Sequence, residues 1–126
     1  IQTSQKMVYN NPDLVQRFID ASIRGWYSFL YTDPSPSYEL IKRDNPDMTD
    51  ELLTYGRDIL KQYGLVDSGD AALNGIGMMT KSRWKAFFDV MAADNVFPIE
   101  LDYTKAYTLE FVGKRVGIDP VLPSGD

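Results

Sequence analysis

The sequence predicts a mainly α-helical chain of about five helices, with room for one short strand at its N-terminus. Three observations predict it. Apolar residues recur at three- and four-residue spacing in several stretches, as one face of a helix requires. Proline, asparagine and threonine stand where helices begin and stop. No stretch alternates apolar and polar residues over the length of a strand.

Residues 1–9 carry few signals, and "IQTS" reads as the end of a strand. "NNPDLVQRF" is a helix start: Asn11 can cap, Pro12 fits the first helical position, and Asp13 suits the positive end of the helix dipole. Leu14, Val15, Phe18, Ile19, Ile23, Trp26, Phe29 and Leu30 continue the helical stripe. Gly25 lies mid-helix at a cost of about 1 kcal/mol against alanine. Close approach of another backbone beside Trp26 is the expected reason. A second helix opens at Asp33–Pro34 and stops at Asn45–Pro46, because the residue before a proline avoids the α region. A third starts at Thr49, presents Leu52, Ile59, Leu60 and Tyr63, and closes at Gly64.

Residues 65–79 read as a loop from their Gly, Asp and Ser content. Thr80 caps the fourth helix, with Met79 and Trp84 at the two positions of a hydrophobic staple. Trp84, Phe87, Phe88 and Met91 then share one side, and the helix should end near Asn95. "DYTKAYTLEFV" offers Tyr103, Tyr107 and Phe111 for a fifth, short helix with a break at Thr108. Residues 1–112 thus form a helical segment and 113–126 an irregular tail. Short connections predict antiparallel neighbours, stacked as hairpins.

Composition narrows the function classes. Hydrophobic residues make up 44% of 126, enough for one core and too many for a disordered chain. The net charge of −5 disfavours nucleic acid, whose phosphates need clustered Lys and Arg. Lys42–Arg43 and Lys114–Arg115 are the adjacent basic pairs, and both read as solvated faces. Without cysteine there is no disulfide or thiolate chemistry, and without histidine the commonest general base and zinc ligand are missing. No stretch is long and apolar enough to span a bilayer. The chain begins at Ile1 rather than Met, so a processed product or a piece of a longer protein is expected.

No catalytic constellation emerges. Asp44, Asp47, Asp50, Glu51, Asp67 and Asp70 stand among caps and loops, where capping explains them. "DSGD" (67–70) lacks the spacing of a calcium loop, and "NGIG" (74–77) lacks the lysine of a phosphate loop. Ser4/Lys6 and Lys81/Ser82 lack the surroundings of a Ser–Lys nucleophile. The chain is read as no enzyme, with no cofactor, no metal site and no ligand-binding residue that can be named. The aromatic residues at helical spacing are read as core, with Trp84 as an anchor.

The ordered set of elements carries a resemblance. Asn11, Pro12, Leu14, Val15, Phe18, Ala21, Arg24, Gly25, Trp26 and Pro34 match, in order, a segment of the type "NPELVKRFLRATLRGWEYALAHP". Asn45–Pro46, Glu51–Leu52, Gly77 with Met78 or Met79, Arg83–Trp84 and "YTLEFV" (107–112) follow in the corresponding places. The chain therefore resembles the C-terminal segment of solute-binding proteins of ABC importers for nitrate, sulfonates, taurine and thiamine-pyrimidine precursors. That resemblance implies a parent with two α/β lobes closing on a small nutrient, periplasmic or otherwise exported, partnered by ABC permease subunits. It also implies that most ligand contacts lie upstream. The alternative reading is a helical repeat module for protein interaction. It rests on "NPD" at 11–13 and again at 45–47, a separation of 34 residues, the tetratricopeptide period.

Overall fold

Six α-helices and one 3-10 turn make up the computed structural model, which describes residues 1–118. They are α1 (Gln5–Asn10), α2 (Pro12–Tyr31), α3 (Ser35–Asp44), α4 (Asp50–Gln62), α5 (Asp70–Asn74) and α6 (Lys81–Ala93), with the 3-10 turn at Tyr103–Ala106. Among the described residues there is no strand, so the chain is mainly helical, as its periodicity predicts.

Local chemistry sets most helix ends. Thr49 accepts from the Leu52 amide at 3.2 Å, and Thr80 from the Arg83 amide at 3.3 Å. Asp33 takes both the hydroxyl and the amide of Ser35, at 2.7 and 3.0 Å, just ahead of α3. The Ser35 hydroxyl, then its amide, hold the Asp33 carboxyl below its ordinary pKa. At the end of α4, Gly64 turns left-handed at φ 55°. The Leu65 amide then reaches Leu60 O at 3.0 Å, and the Gly64 amide reaches Lys61 O at 3.2 Å. Asn95 does the same for α6 at φ 57°, with Val96 N donating to Met91 O at 2.8 Å. Asn11 departs from expectation. Its side chain makes no cap bond, and its amide instead closes α1 by donating to Met7 O.

Several segments differ from the sequence reading. Residues 1–4, expected as a strand end, have no regular structure, and α1 follows them, started by the Ser4 hydroxyl, which accepts from the Met7 amide at 3.1 Å. The 65–79 loop contains the short α5. The fifth helix shrinks to the 3-10 turn, with Tyr107 already extended. Asp102 and Thr108 bond locally to the amides of Thr104 and Glu110, which competes with helical bonding. Residues 113–118 are irregular as expected but pack back: Val116 lies against the core and Lys114 donates to Gln16. Residues 119–126 of the expected tail lie outside the described part.

Stacked hairpins do not form. Among the described elements, only α1 with α2 and α6 with the 3-10 turn share more than a passing backbone contact. The two "NPD" sites are also unlike: the first opens α2, whereas the second lies in the turn between α3 and α4. A repeat unit would place them equivalently.

The central core joins Ile23 and Leu30 of α2 to Ile76, which lies in the stretch whose composition predicts a loop. Gly75 and Gly77, at φ 96° and 85°, give the backbone the left-handed turns that drive Ile76 inward. The Ile76 amide donates to the Tyr27 hydroxyl at 3.2 Å, and a Cβ at Gly77 would sit 3.5 Å from Ile23. The stretch "GIGMM" thus acts as a plug over α2. Farther along, Gln16 of α2 donates to Phe111 O at 3.3 Å beside the buried Phe111 ring.

Gly25 contradicts its expected role within this chain. A Cβ built there meets no atom within 4 Å, so no neighbouring backbone among the described residues approaches it. Gly25→Ala in this chain should therefore raise stability by about 1 kcal/mol through helix propensity. Urea unfolding followed by circular dichroism reads the change, and a loss of stability would show hidden crowding.

Candidate functional site

The aromatic side of α6 lines a concave feature. Thr80 starts the helix so that Trp84, Phe87 and Phe88 project at successive three- and four-residue steps. The segment 97–107 then folds back over them. Trp84 stacks on Tyr107 with centroids 4.7 Å apart and planes within 2°. Phe88 stacks on Tyr103 at 4.7 Å and 21°. Phe87 stands edge-on to both Trp84 and Phe97, at 6.5 and 6.3 Å. Beside them lies a cleft of about 350 Å3, lined by Trp84, Phe87, Phe88, Phe97 and Tyr103 with Leu101, Asp102 and Lys105. A shallower neighbour of about 440 Å3 runs along Met78, Met79, Thr80 and Arg83 to Trp84. Met79 and Trp84, the predicted staple pair, both line it.

The polar groups at the cleft are already engaged. Asp102 accepts from the Thr104 hydroxyl and amide and pairs with Lys105 at 3.3 Å. The Thr104 hydroxyl, then Lys105, lower the Asp102 pKa, so this cap is complete at neutral pH and is lost as the carboxyl protonates in acid. Lys85 pairs with Asp89 at 2.6 Å on the outer side of α6, which raises the lysine's pKa. A solute pocket combines apolar walls with a few convergent polar groups. This cleft supplies the walls only. It can hold an apolar side chain or the flat face of a ring.

Several other residues weighed from sequence serve local structure, whereas the side chains of Lys6, Asp47, Glu51, Asp67 and Lys81 are brought to no common site. Ser4 caps α1, and Ser82 shares a hydrogen bond with Thr80 at 3.1 Å. Asp50 and Glu39 both pair with Lys42, at 2.8 and 2.7 Å, which joins the end of α3 to the start of α4 and raises the Lys42 pKa. Asp70 accepts from Thr80 at 3.3 Å. Asp33 and Asp102, the two carboxylates with a displaced pKa among the described residues, move downward, opposite to a general acid. No group of three His, Cys, Asp or Glu among the described residues is placed to hold a metal ion. No helix there is long and apolar enough to cross a membrane.

Trp84 is half-buried rather than a core anchor, because its ring packs on one face and borders both clefts on the other. Phe87 (49% exposed) and Trp26 (40%) likewise fall outside the core expected for them, while Phe88 and Phe111 are buried. The fully buried range for Trp→Ala is about 3–5 kcal/mol. Partial burial with one stacking partner brings the expected cost of Trp84→Ala to about 2 kcal/mol. Tyr107→Ala should lose part of the same energy, and a double-mutant cycle in urea tests the coupling; additive costs would show that the stack contributes nothing. Tyr103 and Tyr107, expected from their spacing on one helical face, cover different rings of α6. Phe97 went unnoticed because it lies past the end of a periodic segment.

No family model matches the chain, and no solved structure matches it. Among curated proteins it is similar to the riboflavin-binding protein RibY of Chloroflexus aurantiacus, with 26% identity over 113 residues. The alignment takes in 89% of this chain and 32% of RibY, so the chain spans about a third of that relative's length.

Proposed function

We propose that this chain is the helical C-terminal part of an exported solute-binding protein that delivers a small nutrient to ABC permease subunits. The observation that carries the reading is the similarity to a riboflavin-binding protein across nearly the whole chain. The ordered matches from Asn11 to "YTLEFV" support the importer class independently. Among the nutrients that the resemblance implies, the relative's name favours the heteroaromatic thiamine-type pyrimidine over nitrate and sulfonates, and it adds riboflavin itself as a candidate. Planar rings are held by aromatic stacking with a few polar partners, whereas oxyanions need arginine or exposed helix N-termini. The activity is capture and release, with no chemical step.

The test is a titration of the intact natural polypeptide with riboflavin, read by quenching of flavin emission. Calorimetry with a thiamine-type pyrimidine, taurine and nitrate runs beside it. Micromolar or tighter binding of a heteroaromatic solute is expected, with no heat from taurine or nitrate. Failure of all four solutes sinks the reading. The 126-residue chain alone should bind none of them, because its cleft has walls without orienting polar groups.

A further inference from the structure

Beyond the aromatic cleft the chain returns along α2, and residues 113–118 lie on it as a strap. Lys114 donates to the Gln16 side-chain carbonyl near the start of α2, and Val116 packs on the Ile23–Leu30–Ile76 core. Gly117 lies on the Tyr27 ring, where an added Cβ would stand 2.6 Å from Cδ2. Arg115 donates through Nη1 to the Leu73 carbonyl at 2.9 Å, in the last turn of α5, where carbonyls lack partners within the helix. The backbone is left-handed at Gly113, Arg115 and Gly117, with φ of 72°, 53° and 80°. That conformation is uncommon for a residue with a side chain, so the contacts on either side hold Arg115 in it.

Side chains provide most of these anchors. Among the described residues the strap makes one backbone-to-backbone hydrogen bond, from Ile118 N to its own Arg115 O at 3.3 Å. Residues 113–115 are exposed and 116–118 half-buried. A segment with so few backbone bonds and so little burial opens at a lower free energy than the helices beneath it.

The strap meets the 75–79 plug in three places. Ile118 lies over Gly75, where an added Cβ would stand 3.1 Å from its Cδ1. Met78 Sδ lies 3.3 Å from the Cβ position of Gly113. Tyr27 serves both segments, with its ring under Gly117 and its hydroxyl accepting from the Ile76 amide at 3.2 Å. Lifting the strap uncovers the Tyr27 ring, and the Ile76 amide then loses a fixed acceptor.

We infer that residues 113–118 are a clasp on the plug: the two segments open together as one unit while α2 and α4 stay folded. The clasp thereby sets how firmly Ile76 is held against Ile23 and Leu30. Tyr27 is the shared part that couples them.

The test is hydrogen exchange read by peptide mapping in the intact natural polypeptide, with and without Gly117→Ala. The alanine Cβ would strike the Tyr27 ring and resist the left-handed backbone, so the variant should loosen the clasp. Residues 75–79 and 113–118 should then exchange at least about tenfold faster, by a shared factor, while α4 keeps its parental rates. Faster exchange confined to 113–118 overturns the coupling. So does an equal rise in α4, which would mean a general loss of stability, and so does no change in either segment. Arg115→Asn provides a second variant, because asparagine tolerates the left-handed backbone but cannot keep the long reach to Leu73. It too should raise both rates by a shared factor, and unequal factors overturn the inference even if the alanine variant misfolds.

Discussion

Leu30→Ala is expected to destabilise this chain by about 3–5 kcal/mol, the upper part of the range for a buried leucine. Leu30 is 1% exposed and joins Ile23 and Ile76, with Tyr27, Phe29, Leu60, Val66 and Val116 packed around them. The cluster brings α2 and α4 together with the 75–79 plug and the returning end of the chain. A cavity at its centre cannot be closed by one side chain moving, because its walls come from separate elements. Small domains have only about 5–15 kcal/mol in total, so this loss is a large share of it. Urea unfolding by circular dichroism, with the m-value held in common, measures the change. A shift below about 1 kcal/mol would mean that the plug relaxes into the space.

Arg57→Ala should come next in size, at about 2–4 kcal/mol, from the loss of charged hydrogen bonds to half-buried carbonyls. Arg57 reaches from α4 to the end of α2 and donates to the carbonyls of Phe29, Leu30 and Thr32, at 2.7, 2.8 and 3.1 Å. The last carbonyls of a helix have no partner within it, and the guanidinium supplies one while its charge suits the negative end of the dipole. Lysine keeps the charge but has no planar fork, so Arg57→Lys should recover less than half of the loss. Equal stability of the lysine variant and the parent would show that charge alone is at work and that the three-carbonyl geometry is incidental.

These two residues show where sequence reasoning reached and where it stopped. Leu30 was legible as part of the α2 stripe, since a period of three and four residues needs no knowledge of the partner. Ile76 was not, because it lies between two glycines in a segment with no period, and its burial depends on Ile23 more than fifty positions away. Arg57 sits on a helix among other charged residues and looks like a solvated side chain until α2 ends beside it. Gly25 misled in the other direction: its setting pointed to a close neighbour, and no part of the described chain supplies one. The cleft was half legible. Trp84, Phe87 and Phe88 follow from helical spacing, but their covers Phe97, Tyr103 and Tyr107 come from irregular backbone.

The sequence by itself determined the helical class, the starts of α2, α4 and α6, and the stops at Asn45, Gly64 and Asn95. Each of these is a contest within four or five residues between a side chain, a backbone amide and the left-handed region, so neighbours in sequence suffice to decide it. Only the tertiary structure decided that 75–79 is a plug and that Gln16 and Tyr27 hold the returning chain. Those outcomes depend on contacts between residues tens of positions apart, and their energy appears only when both sides are already in place.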